Sequence, residues 1–153
     1  MDYFDQVNTP IGTIGLQATQ EYLLKVDLHP GPVPPTMAAS IPLLAEAKKQ
    51  LIAYFQGRLH TFSIPLHIPQ SSFLSSVLQV LQKIPYGSTW TYLQVADYLR
   101  KPKSARAVGQ ACHNNPLAIF IPCHRVVGSR GQLGGYNGGI TIKKYLLGLE
   151  QCS

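Results

Sequence analysis

The 153 residues, 45% of them apolar, suffice for one ordinary domain or two small packed halves, and for a core that needs no staples. Three cysteines (Cys112, Cys123, Cys152) form no Cys-x-x-Cys clip, nothing at the N-terminus reads as a signal peptide, and Lys, Arg, Pro or Gly interrupts every apolar run short of the roughly 20 residues of a membrane span. A soluble protein with free thiols in a reducing compartment is expected: cytoplasmic, or nuclear in a eukaryote, and no membrane partner.

The net charge of +6 is unevenly placed. Through Pro69 four Lys/Arg stand against five Asp/Glu, whereas from Gln70 onward nine stand against only Asp97 and Glu150. That bias is the footprint of a surface for a polyanion, although basic surfaces also occur without one.

In chain order, NTPIGTIGLQAT and YLLKVDLH carry the β-branched and apolar residues of a strand pair. GPVPPT breaks the pattern, and from Ala38 to Phe55 apolar residues recur near a helical period, with Gly57 as the stop. HTFSIPLHIP reads as an extended connection, which places a boundary near Ile68 and defines halves 1–68 and 69–153. The second half is mostly helical. Ser71 or Ser72 caps a helix carrying Phe73, Val77, Val80 and Leu81, and IPYG ends it. Leu93, Ala96 and Leu99 then share a helix face; KPKS turns; Ser104 caps a second short helix with Ala105, Val108, Ala111 and Cys112 as its stripe. Two short helices across a basic turn suggest helix-turn-helix. Arg106 falls off the stripe beside Gly109 and Gln110, and the small side chains of the second helix would let its backbone approach a groove or simply a neighbouring helix.

Cys123 lies in AIFIPCHRVVGSRGQLGGYNGG, between a Pro and a His. A free cysteine is most often a small buried hydrophobe, and adjacency to His124 alone is weak evidence of activation. The context favours chemistry: Pro122 fixes a turn, Ile119, Phe120 and Ile121 anchor it, and the following glycines can shape a loop over it. Cys112-His113 and Cys123-His124 supply four nominal zinc ligands, but Cys112 falls on the buried stripe and the spacing is not that of a structural clip, so no metal is expected. A Cys-His hydrolase would need an acid to orient the His, and the scarcity of acids singles out Glu150, at the end of TIKKYLLGLE. Tyr145 and Leu149 read as core.

Taken together, IPYGSTWTY, SARAVGQACHNNP, IPCHRVV and GGYNGG, in this order and spacing, resemble the O6-alkylguanine-DNA alkyltransferase family (methylated-DNA-protein-cysteine methyltransferases) over about Phe73 to Glu150. The resemblance implies an α+β protein: a small N-terminal ribonuclease-H-like α/β domain without catalytic residues, then a mostly helical, winged-helix-like domain containing the helix-turn-helix. It implies that Cys123 takes an alkyl group permanently from guanine O6 in double-stranded DNA, acting once and as a monomer without cofactor. His124 would remove the thiol proton through a water, with Glu150 fixing its tautomer, Asn115 as a hinge and Tyr92 bonding the guanine ring nitrogen. Val126, Tyr136 and Asn137 complete the substrate pocket with Tyr92 and Cys123. The DNA contacts implied are Arg106, filling the vacated stack, with Tyr92, Ser104, Ala105, Gly109, Gln110 and Arg125. Many family members have Ser at the position of Asn137, which touches pocket shape more than activity because the backbone amide makes the contact. A lesion-binding protein without chemistry is the alternative, against which the retained Cys123, His124 and Glu150 stand.

Overall fold

Pro10 and Ile11 turn the chain back on itself, with Gly12 at φ +107°, a conformation an L side chain resists. The turn joins β1 (Tyr3–Thr9) to β2 (Gly12–Ala18) in antiparallel register from Tyr3↔Ala18 to Thr9↔Gly12, and β3 (Leu23–Asp27) pairs with the other edge of β2. The strand pair read from sequence is therefore part of a three-stranded sheet. β1 escaped notice because Val7 alone among its residues is fully buried, so it carries little alternation. The computed structural model describes residues 2–31, 41–70, 72–136 and 138–151. The expected breaker at 32–36, the helix start at Ala38, Ser71, Asn137 and Cys152 lie outside them.

Pro42 opens α1 (Pro42–Phe55), a first-turn position where its missing N–H costs nothing, and α1 packs Leu44, Ala47, Leu51, Tyr54 and Phe55 against β1 and β2. The following segment is extended and ties to β3 through Leu23 N–H to Pro65 O (2.9 Å) and His67 N–H to Leu23 O (2.9 Å). The described residues divide into two units between His67 and Ile68.

In the second unit Ser72 caps α2 (Phe73–Leu81) by accepting from the Ser75 amide at 3.2 Å. A parallel pairing of β4 (Trp90–Thr91) with β5 (Val126–Val127) sits beside three helices that pack together: α2, α3 (Tyr92–Tyr98) and α4 (Ala105–His113). Thr91 and Gln94 form a reciprocal capping box at the start of α3, and Arg100 at φ +60° ends the turn after it. α5 (Ile140–Gln151) closes the unit.

Several expected positions differ. Val95 and Ala96 are the buried residues of α3, while Leu93 is 48% exposed; on so short a helix one apolar residue at each end cannot reach the same neighbour. Ser104 precedes α4, but its side chain makes no capping bond, because its backbone is turned out of the extended conformation a cap needs. Ala105 is half-buried, and Tyr145 is 41% exposed: α5 turns Ile142, Lys143, Leu146 and Glu150 inward instead.

Candidate functional site

The segment between α4 and Cys123 is buried from Leu117 to Ile121, and Ile119 is held at φ +74°, a strained setting for a β-branched residue. Asn115 fixes it. Its Oδ1 accepts from the Leu117 amide (2.9 Å) and its Nδ2 donates to Ile121 O (2.9 Å), so one buried side chain ties the end of α4 to the strand-like approach to the cysteine. Cys123 then starts a single turn of 3-10 helix, Cys123–Arg125, with its amide on Ile121 O at 2.8 Å.

Cys123 is 2% exposed. Burial pushes its thiol up to about 11, against the smaller opposing pulls of a hydrogen bond from Asn115 and the charge of Lys143. The resting nucleophile is therefore a thiol. His124, fully buried, places Nε2 2.7 Å from Glu150 Oε2. Arg125 grips the same carboxylate with a fork, Nε to Oε1 at 2.8 Å and Nη2 to Oε2 at 3.0 Å, and its Nη1 donates to Ile84 O at 2.8 Å. Burial is the largest influence on His124 and lowers its pKa against the pull of the Glu150 hydrogen bond and charge, with Arg125 and Lys143 adding smaller downward pulls. The contact with Glu150 is thus the hydrogen bond of a neutral ring rather than an ion pair. With Nε2–H donated to the carboxylate, the lone pair lies on Nδ1, which has no partner among the described residues.

Arg125, expected at the DNA surface, is corrected by this arrangement: it is 7% exposed and its guanidinium is spent on Glu150 and Ile84. Lys143, which the sequence reading passed over, is 1% exposed and donates to Val126 O at 2.7 Å, with Nζ 5.8 Å from the centroid of the Tyr92 ring. Burial draws its pKa down, while nearby Cys112 and Cys123 draw it up. A signal was available: Lys143 lies two helical turns before Glu150 and so shares its face. The Arg125 guanidinium also lies 5.6 Å from the Tyr86 ring centroid.

Tyr92, at the start of α3, rests on Gly109 of α4, where an added Cβ would meet Cε1 at 3.6 Å. Gly134 comes closer. A Cβ there would fall 2.7 Å from Tyr92 Cζ and collide with its hydroxyl, so glycine is required for the loop to lie over the phenol. The phenol is pushed up to about 12 by burial and by the two neighbouring cysteines. Tyr136 is buried, its hydroxyl without a partner among the described residues, and burial followed by Cys123 and Glu150 holds its pKa well above the ordinary value. Val126 is wholly buried beside these groups. On α4, Arg106 and Gln110 are exposed, Ser104, Ala105 and Gly109 are half-buried, and Val108, Ala111 and Cys112 face inward. Cys112 is held up to about 12 by burial, and no cluster able to hold a metal occurs among the described residues.

Two short helices across a basic turn, the second rich in small residues, beside a buried cysteine that adjoins a hydrogen-bonded His124–Glu150 pair, are the parts of a DNA-directed protein with thiol chemistry. The family of the 6-O-methylguanine DNA methyltransferase DNA binding domain matches residues 72–152, and that of the 6-O-methylguanine DNA methyltransferase ribonuclease-like domain matches residues 3–68. The chain is 42% identical to the methylated-DNA–protein-cysteine methyltransferase of Methanosarcina barkeri, covering 97% of each, and 39% identical to the constitutive enzyme of that name from Bacillus subtilis, covering 100% of this chain and 98% of the relative. Its fold superposes on the Mycobacterium tuberculosis OGT crystallised in complex with DNA at a TM-score of 0.89, with 37% identity, over 98% of this chain and 93% of that one. The chain belongs to the 6-O-methylguanine DNA methyltransferase family, and the α+β architecture expected from sequence is the one it has. No helix among the described residues is long and apolar enough to cross a membrane.

Proposed function

We propose that this protein performs direct-reversal DNA repair, with Cys123 as the permanent acceptor of the alkyl group from O6-alkylguanine in double-stranded DNA. The observation that carries the reading is a buried Cys123 followed in the chain by a buried His124 whose Nε2 is hydrogen-bonded to Glu150, in the unit that holds the helix-turn-helix. The sulfur attacks the alkyl carbon, an S–C bond forms and the C–O6 bond breaks. The thiol proton passes through a water to Nδ1 of neutral His124, whose Nε2–H stays on Glu150. The leaving guanine anion takes a proton at its ring nitrogen from the Tyr92 hydroxyl, which is protonated at rest, and the proton gained by His124 is released to restore the tyrosine, so the net transfer is from thiol to guanine. No bond is left to regenerate the thiol, so each molecule acts once.

A carbon at the edge of a stacked base pair cannot be approached in line by a thiol that is 2% exposed, so the nucleotide must leave the stack. Arg106, exposed on α4, fills the space it vacates, and the other exposed faces of α4 lie along the duplex. Asn115 holds the cysteine turn against α4, while Val126, Tyr136 and Asn137 shape the pocket. The basic residues of the second half supply phosphate contacts that carry little sequence information and weaken with salt. All groups named belong to one chain, so a monomer suffices.

The test is intact-protein mass after incubation with a duplex containing one O6-methylguanine. A stoichiometric gain of one methyl group by the wild type, and none by Cys123→Ser, is expected. Tight lesion binding without mass gain would make this a recognition protein, and turnover of an acyl substrate with neither would support a hydrolase.

A further inference from the structure

Two buried side-chain polar atoms lack hydrogen-bond partners among the described residues, His124 Nδ1 and the Tyr136 hydroxyl. A folded protein rarely leaves such a group dry and unpaired, so each calls for water or a ligand. His124 adjoins Cys123 in the chain and reaches Glu150 through its other nitrogen. Tyr136 lies within electrostatic reach of the same two residues, Cys123 and Glu150. It is held there by the turn into α5, where the Gly139 amide donates to Tyr136 O at 2.9 Å.

From this juxtaposition, and resting on the alkyl-transfer reading, we infer that the Tyr136 hydroxyl is a positioning group for the water that carries the thiol proton to His124. A buried water makes about three hydrogen bonds. Here its oxygen accepts from the Cys123 thiol, one of its hydrogens is given to His124 Nδ1, and the Tyr136 hydroxyl supplies the third contact. In the step itself the thiol proton moves to the water and a water proton moves to Nδ1. Tyr136 keeps its own proton throughout, in line with a hydroxyl whose ionisation is opposed first by burial and then by Cys123 and Glu150. The charged and titratable groups around the water are then Cys123, His124 and Glu150, with Arg125 and Lys143 behind them.

The experiment compares wild type, Tyr136→Phe, His124→Gln and the double variant by two readouts: single-turnover methyl transfer from O6-methylguanine duplex, and alkylation of Cys123 by iodoacetamide, each against pH. The Phe variant removes one atom, so the melting temperature and duplex affinity should be unchanged. Its transfer rate should fall about tenfold, the loss of one well-placed hydrogen bond, with the rising limb of both pH profiles displaced to higher pH. In the His124→Gln background, where the water has no base to which it can pass a proton, Tyr136→Phe should change nothing further. Equal rates and profiles for wild type and Tyr136→Phe would overturn the inference, as would a Phe effect that persists undiminished without His124. Absence of methyl transfer by the wild type would instead remove the alkyl-transfer reading, and the iodoacetamide profiles would still decide the role of the hydroxyl.

Discussion

Glu150→Gln removes the one negative charge that Arg125 meets. The carboxylate is 3% exposed and takes hydrogen bonds from His124 and from both sides of the Arg125 fork, while Arg125 itself is 7% exposed. A guanidinium left in that setting without its counter-charge costs roughly 3–5 kcal/mol, a large part of a typical total stability of about 5–15 kcal/mol. For a unit of this length each kcal/mol moves the midpoint by roughly 4–8 °C, so the melting temperature should fall by on the order of 12–40 °C. Thermal unfolding followed by circular dichroism measures it. Adding Arg125→Met to Glu150→Gln should recover much of the loss, since neither buried charge then stands alone, and the double-mutant cycle gives the coupling. A Gln variant melting within two or three degrees (~0.5 kcal/mol) of wild type, or a double variant no better than the single, would refute the claim that the pair is held by charge compensation.

Four further outcomes follow from the same geometry. Arg106→Ala should leave the melting temperature and the iodoacetamide reactivity of Cys123 unchanged while slowing methyl transfer from duplex DNA; an unaltered rate on duplex sinks its role in base extrusion. Gly134→Ala puts a Cβ 2.7 Å from Tyr92 Cζ, so either the loop or the phenol must move, at a cost of about 1–3 kcal/mol and with loss of transfer; full activity would show that the loop gives way freely. Lys143→Met removes a charge that favours the thiolate, so alkylation of Cys123 by iodoacetamide should require higher pH than in wild type, where the thiol lies at about 11. Stability should also depend on pH at both ends. Below the ordinary value of 6.5 the unfolded chain takes up a proton at His124 that the folded one refuses, so stability falls as pH drops; between 9 and about 11 the unfolded chain loses the Cys123 proton that the folded one keeps, so stability falls as pH rises, and denaturant midpoints across pH check both signs.

The helices of the second unit were legible because their apolar spacing, caps and breakers agree, and the scarcity of acids in that half pointed to Glu150, which the structure sets against His124. What escaped were residues whose type argues for one place and whose neighbours put them in another. Arg125 was expected on the DNA and Lys143 was passed over, yet each is buried because a specific acceptor waits for it, the Glu150 carboxylate for one and the Val126 carbonyl for the other. Such acceptors lie 25 and 17 positions away in the chain, beyond any local pattern. β1 was missed for the opposite reason: an edge strand with one wholly buried residue presents too little alternation to be seen. The capping box of Thr91 and Gln94 was readable and went unread, since attention fell on the apolar face of α3 rather than on its first turn.

The buried arginine also bears on the state of the histidine. A nucleophile consumed by its own reaction is best kept from stray electrophiles, and a thiol with a pKa of about 11 is ionised in about one molecule in ten thousand at neutral pH. Ionisation must therefore be coupled to the presence of the alkylated base, which requires a base in the site that is unprotonated at rest. Burial opposes protonation of His124 more strongly than the Glu150 carboxylate favours it. Arg125 adds a smaller push in the same direction by meeting the Glu150 charge from the other side, so the carboxylate can fix the His124 tautomer through Nε2 while Nδ1 keeps its lone pair. The fork that holds Arg125 in the interior thus reinforces the neutral state of His124 on which the proposed proton transfer depends, and the position of the cation, not its number in the sequence, separates a phosphate contact from a neighbour of the acid–base pair.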